Sequence, residues 1–288
     1  MHILINGLIQ GLLISLLAIG FSIVYNSTGI FHIAQGAIYT VAPFLLFSFI
    51  KVGTGIPIAV LLTFAITIFL SMSFEKVNHW PLYRKEASTM IQLISSLGIY
   101  IVIIQIVAII WGNEARVLRG GIDVTYNFSG LILTRSQMMG GIISLSFIII
   151  FLFWLKRTNS GLMFTALSDN PIQLSLIGYD ITKLRLFAFG LSGFFTTVAA
   201  ILTALDIGFD PHGGLNIVLI AIVATIIGGR GSFVGPVICG ILLGVIRSQV
   251  VWYTSARWED TITFLLLVLF LFVRPQGIIS NKGRLEVL

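Results

Sequence analysis

Long apolar runs almost free of charge constrain this chain more than any other feature. No Asp, Glu, Lys or Arg occurs before Lys51, and apolar segments cover 3–24, 37–50, 57–74, 90–110, 131–155, 186–205, 215–227, 237–251 and 261–273. A run of about 20 apolar residues crosses a bilayer as a helix, because a helix satisfies its own backbone polar groups in lipid. Charged residues make up 10% of the 288, where a soluble domain carries about 25%. The chain therefore reads as all-α: a polytopic integral membrane helix bundle with about eight or nine transmembrane helices. The short runs at 37–50 and 215–227 read as broken or re-entrant segments. In the run from Leu131, Arg135 moves the expected start of the span to about Ser136. Residues 1–24 lack a basic leader and a clear cleavage site, so they read as a retained span. Cys239 is the sole cysteine and lies in an apolar run, which rules out a disulfide framework.

The formal charge is +6. In a membrane chain such an excess marks cytoplasmic loops rather than nucleic-acid binding. Placing 75–89, 156–185, 228–232 and the tail from 274 on the cytoplasmic side collects most of the lysines and arginines there. The acidic loops at 206–210 and 259–260 then face out, and nine crossings put the N-terminus outside. Arg135, Arg185 and Arg247 fall near span ends, where they are expected to snorkel. No span holds a centrally buried acid or base, which argues against an ion-coupled pump.

Two breaks are rich in glycine and hydrogen-bonding groups: 25–36 and 228–236. Such backbone survives at membrane depth only when packed on protein or lining a cavity. Their short echo, Thr28-Gly29-Ile30-Phe31 and Arg230-Gly231-Ser232-Phe233, fits the paired broken helices of transporters. Asn26, Thr28, Gly29, His32, Gln35, Gly36, Gly228, Gly229, Gly231, Ser232, Gly235 and Pro236 are the candidate pathway residues. Their exposed backbone dipoles suit the ammonium and carboxylate of a zwitterion. For each one, helix packing is the simpler role. Gly7 with Gly11, and Gly240 with Gly244, have the spacing of close helix contacts.

Between two spans, 156–185 is too polar for lipid and too regular for a floppy loop. Asp169 or Asn170 can cap a short helix with Pro171 at its first position, and Gly178 can end it in a left-handed turn. Ile172, Leu174, Leu176 and Ile177 supply apolar surface, and Asp180 can cap the next helix. This surface helix fits either headgroups or a docking partner. Catalytic and metal motifs are missing: His2, His32, His79 and His212 have no ligand spacing. Gly190-Leu191-Ser192-Gly193 matches a serine-protease motif, but small residues at a helix contact explain it better. With no sizeable soluble domain, ATP would have to be hydrolysed by a partner.

Four stretches together resemble the LivH-type permeases of bacterial branched-chain amino acid ABC importers. They are Asn26-x-Thr28-Gly29-x-x-His32-x-Ala34-x-Gly36; Ala166-x-x-Asp169 through Gly178 to Lys183-x-Arg185; Asp210-Pro211 through Gly228-Gly229-x-Gly231-Ser232-x-x-Gly235-Pro236 to Gly240; and Arg274-Pro275-Gln276-Gly277. The chain departs from the pattern at His32, where the family favours asparagine, and at Gln35, where it favours histidine. Its Ala-Leu-Ser-Asp-Asn-Pro is also less charged than usual. The resemblance implies one permease domain over 1–288, in the bacterial inner membrane, moving branched-chain or other hydrophobic amino acids without covalent chemistry. It implies that 156–185 is a coupling loop docking on an ATPase through Ala166, Leu167, Asp169, Asn170, Pro171, Leu174, Ile177 and Gly178. It also implies a second related permease, two ATPase subunits that bind the ATP, and a periplasmic or lipid-anchored solute-binding protein. Urea or short amides are the alternative cargo. A passive channel or secondary carrier is the alternative class.

Overall fold

The computed structural model describes residues 2–279 apart from 120, 122, 129, 130, 230 and 275. The sequence marks at Arg230, Pro275, Lys282 and Arg284 lie outside the described residues. Helix α1 (His2–Thr28) is followed by α2 (Gln35–Lys51) and α3 (Ile56–Phe74), which runs through a π turn (Glu75–His79) into α4 (Trp80–Arg84). Next come α5 (Thr89–Trp111), a hairpin of β1 (Thr125–Phe128) and β2 (Leu131–Thr134), and α6 (Arg135–Arg157). Then follow α7 (Asn159–Asp169), α8 (Pro171–Leu176), α9 (Ile181–Asp206), α10 (Gly214–Gly228), α11 (Val234–Tyr253) and α12 (Glu259–Val273). Among the described residues six helices are long and apolar enough to cross a membrane, while α2 and α10 are shorter apolar helices. The all-α bundle expected from the sequence is what forms. The small exception is the hairpin, with Thr125 opposite Thr134.

Helix α1 is the axis of the bundle. Leu16, Leu17, Ala18, Ile19 and Phe21 are wholly buried among α6, α9, α10 and α11. It meets α11 through the predicted small residues: a Cβ on Gly11 would lie 2.7 Å from the Ile241 carbonyl oxygen, and one on Gly7 2.8 Å from the Ser248 Cβ. Ser15 Oγ then donates to the Val237 carbonyl at 2.8 Å. Helix α3 turns a four-residue stripe, Ala59, Thr63, Thr67 and Ser71, toward α9. There Thr197 Oγ1 donates to Thr67 Oγ1 at 2.8 Å, and Ser71 Oγ to the Phe189 carbonyl at 2.5 Å. Leu61, Phe69, Ile109, Ile149 and Phe272 stay exposed on the bundle's rim, as side chains facing lipid do.

The loops sort to two ends as the charges suggested. At one end His2 bonds the Ile132 carbonyl, Arg116 pairs backbone to backbone with Phe209, and Asn216 donates to Asp260. At the other end lie the π turn, α7, α8, the α10–α11 break and residues 276–279, whose Ile278 and Ile279 amides bond the carbonyls of Ile227 and Gly228.

Three expectations are corrected. Residues 75–84 are helical rather than loop, because the charge that ends the apolar run is neutralised inside the protein. Arg185 does not snorkel: it is 2% exposed and pairs with buried Glu75, so the chain does carry a buried acid and base. Arg247 is also held inside, by Glu259 at 2.9 Å, Asp260 at 2.9 Å and Thr263 Oγ1 at 2.9 Å. Arg135 is exposed and begins α6, which a capping box between Thr134 and Gln137 starts one residue before Ser136.

Candidate functional site

The 156–185 stretch folds as an elbow between two spans. Thr158 Oγ1 caps α7 by accepting from the Gly161 amide at 3.1 Å. Gly161 lets the chain double back, since a Cβ there would lie 2.5 Å from the Leu155 Cα. Asn170, not Asp169, caps α8: its Oδ1 accepts from the Gln173 amide at 3.1 Å. Gly178, at φ +96, ends the turn, with the Gly178 amide bonding the Ser175 carbonyl and the Tyr179 amide the Leu174 carbonyl. Asp180 then starts α9 by accepting from the amides of Thr182 (3.0 Å) and Lys183 (3.3 Å). The Lys183 amide is the main cause holding the Asp180 carboxyl below the usual carboxylate range.

The apolar residues of the elbow divide into two sets. Leu167 and Leu174 are buried and anchor it to the bundle, whereas Leu176 (81% exposed), Ile177 (75%) and Leu162 point away. Leu174 therefore does not contribute to the exposed apolar surface as the sequence suggested. Ala166 and Pro171 are half-buried, and Asp169 and Gly178 are exposed. The side chain of Ile172 lies outside the described residues.

The two breaks adjoin, and Asn26 joins them. Its Nδ2 donates to the Ser232 carbonyl and its Oδ1 accepts from the Gly231 amide, both at 3.1 Å. Gly228 and Gly235 approach so closely that a Cβ on Gly228 would lie 2.5 Å from the Gly235 carbonyl carbon and from the Pro236 nitrogen. Gly229 rests on Ile279, and Ser232 Oγ accepts from the Gly235 amide at 3.0 Å. Gly29, at φ +74, turns the chain out of α1 after Thr28, whose Oγ1 donates to the Val24 carbonyl. Gly36 packs on the Tyr100 ring and the Gly214 carbonyl. Gln35 Nε2 reaches Leu17 O (3.2 Å) and Thr196 Oγ1 (2.8 Å). Of these twelve residues only Thr28 and Gly29 are partly exposed. A cavity of about 410 Å³ lies at the opposite end, lined by His2, Asn6, Gln10, Ser248, Trp252 and Glu259 among others.

Beside the first break lies a polar cluster that was not read from the sequence. His32 Nδ1 and His79 Nε2 are 3.1 Å apart. Arg185 Nε donates to Glu75 Oε1 at 2.6 Å, both side chains being 3% exposed. The guanidinium also lies 4.4 Å from the Tyr83 ring centroid, a cation–π distance. A four-residue spacing of Glu75 and His79 was the local signal, but their partners are 110 and 47 residues away. Ser192 is fully buried, and its Oγ has no hydrogen-bond partner among the described residues; the structure pairs it with no base.

A family model described as the permease component of branched-chain amino acid transport systems matches residues 3–271. The chain is 27% identical to the high-affinity branched-chain amino acid transport system permease protein BraD of Pseudomonas aeruginosa, covering 99% of this chain and 96% of that one. It is likewise 27% identical to LivH, the permease protein of the same name in Escherichia coli, over 98% and 95% of the two chains. Among solved structures it resembles PsaBC from Streptococcus pneumoniae in complex with Fab, with a TM-score of 0.52, 12% identity, and 99% and 94% of the chains covered. That likeness concerns the fold alone. The match spans both glycine breaks, the elbow and the buried cluster, and on that ground the chain belongs to the branched-chain amino acid transport permease family.

Proposed function

We propose that this chain is the transmembrane permease subunit of an ABC importer that carries branched-chain amino acids across the bacterial inner membrane. Residues 1–288 act as one permease domain. Its partners are a second related permease, two ATPase subunits that bind the ATP, and a periplasmic or lipid-anchored binding protein that selects the solute. The observation that carries this reading is the elbow of α7 and α8. In a chain of this family it presents Leu176 and Ile177 on a rigid, doubly capped helix turn, the form a docking element needs when binding must transmit force. Asn170, Gly178 and Asp180 set its shape, exposed Asp169 stands beside them, and Leu167 and Leu174 tie its displacement to the bundle. The glycine breaks at 26–36 and 228–236 flank the solute path of the assembled transporter.

The test is uptake of labelled leucine into proteoliposomes holding the full complex. Uptake is expected only with ATP, both ATPase subunits and the binding protein. Uptake by this chain without ATPase subunits would instead make it a channel or carrier, and uptake of urea without leucine would move it to the amide branch.

A further inference from the structure

The buried cluster is a polar link between the start of α9 and the α1–α2 break, separate from the Gln35–Thr196 bond farther along α9. Arg185 sits five residues beyond Asp180, on the first turns of α9, directly after the elbow. It pairs with Glu75 at one end of the π turn. His79, at the other end of that turn, meets His32 at 3.1 Å. His32 lies in the irregular backbone between α1 and α2, near Asn26, which grips the α10–α11 break. Phe189 backs both imidazoles, with centroids 4.8 Å and 5.4 Å away.

The cluster is poorly built as mere glue. His32 Nε2, His79 Nδ1, Glu75 Oε2 and one Arg185 nitrogen are buried without partners among the described residues. Buried polar groups are nearly always paired, so four spare positions in one place call for a reason. A buried ion pair is also weak as a source of stability. Spare donors and acceptors do suit a cluster that changes partners between two arrangements. A π turn is a frequent companion of functional sites in helices. Glu75 and His79 stand at its two ends with different partners, and a shift between π and α winding would swing Trp80–Arg84 about the helix axis.

The geometry points to the Arg185–Glu75–His79–His32 relay as the element that transmits movement of the elbow to the α1–α2 break. This inference rests on the importer reading. Elbow displacement tilts the start of α9, Arg185 pulls on Glu75, the π turn rewinds, and His79 releases or reseats His32. All four act as positioning residues and none needs to touch the solute.

The experiment uses the whole reconstituted importer and measures leucine uptake per ATP hydrolysed, together with the yield of assembled complex. The variants are His79→Gln and the double change Glu75→Gln with Arg185→Gln, which removes both buried charges together. Each is expected to assemble, to keep ATP hydrolysis within about twofold, and to lose uptake per ATP by about tenfold, within the usual range for coupling between sites. A wild-type ratio of uptake to ATP in assembled variants overturns the inference. So does a loss of both activities in proportion to assembled complex, or failure of every variant to assemble, because either outcome assigns the cluster to folding. Gly178→Val serves as the control: if it uncouples while the relay variants do not, the relay fails and the importer reading stands. If the wild-type complex takes up leucine without ATP, the importer reading itself fails.

Discussion

At Asn26 one side-chain amide holds two chain breaks together, accepting from Gly231 and donating to Ser232 some 205 residues along. Asn26→Ala leaves a buried donor and a buried acceptor unpaired, each costing about 1–3 kcal/mol. Thermal unfolding of the purified chain should show a clear drop, and an unchanged midpoint would mean the breaks hold without this clamp. Two residues on α9 give the opposite lesson about charge. Lys183 lies 3.5 Å from Asp180 with its side chain 86% exposed, and Arg185 lies 2.6 Å from Glu75 with its side chain 3% exposed. An exposed pair is screened by water and contributes little, whereas removing one partner of a buried pair costs about 3–5 kcal/mol. Arg185→Ala should therefore destabilise strongly while Lys183→Ala barely registers, in the same unfolding assay. Equal effects would show that water reaches the Glu75 site.

The elbow tests geometry at the scale of an element. Gly178 stands at φ +96 with nothing within 4 Å of the position a Cβ would take, so a larger residue meets no clash, only backbone strain of about 1–3 kcal/mol. Gly178→Val should insert and fold yet redirect Tyr179 and the α9 cap, and ATP hydrolysis should proceed with uptake largely lost. Normal coupled uptake by this variant would remove the docking role of α8. This element was legible because its signals are local: a cap at Asn170, proline next, glycine at the stop, a cap at Asp180. The Gly7–Gly11 contact and the start of α6 were legible for the same reason. The continuation of α3 through Glu75 to Arg84 was not. A hydropathy reading stops at the first charges, and what lets the helix go on is Arg185, supplied by another helix. The hairpin at 125–134 was missed because four-residue strands leave little period to read. At the candidate site the sequence indicated the two breaks but not that Asn26 ties them together, nor that His32 faces His79.

For the whole molecule, the question is which end faces the cytoplasm. The structure groups His2, the described residues of 112–134, 206–214 and 252–260 at one end, and 75–84, the elbow, the described residues of 228–234 and 276–279 at the other. The second end carries Lys76, Arg84, Lys85, Lys156, Arg157, Lys183 and Arg274. Basic loops stay on the cytoplasmic side during insertion, so the elbow end should face the ATPase. Cys239 is the one native thiol, and it is buried within α11, out of reach of aqueous reagents. Single cysteines can therefore be read against a quiet background. Leu176→Cys should react with a membrane-impermeant maleimide only in inside-out vesicles, and His212→Cys only in intact spheroplasts. The reverse pattern would place the elbow outside, where no ATPase can reach it, and would undo the importer reading at its root. Labelling of both positions from one side would break the two-ended grouping itself, even though backbone bonds such as Arg116–Phe209 require it within the fold.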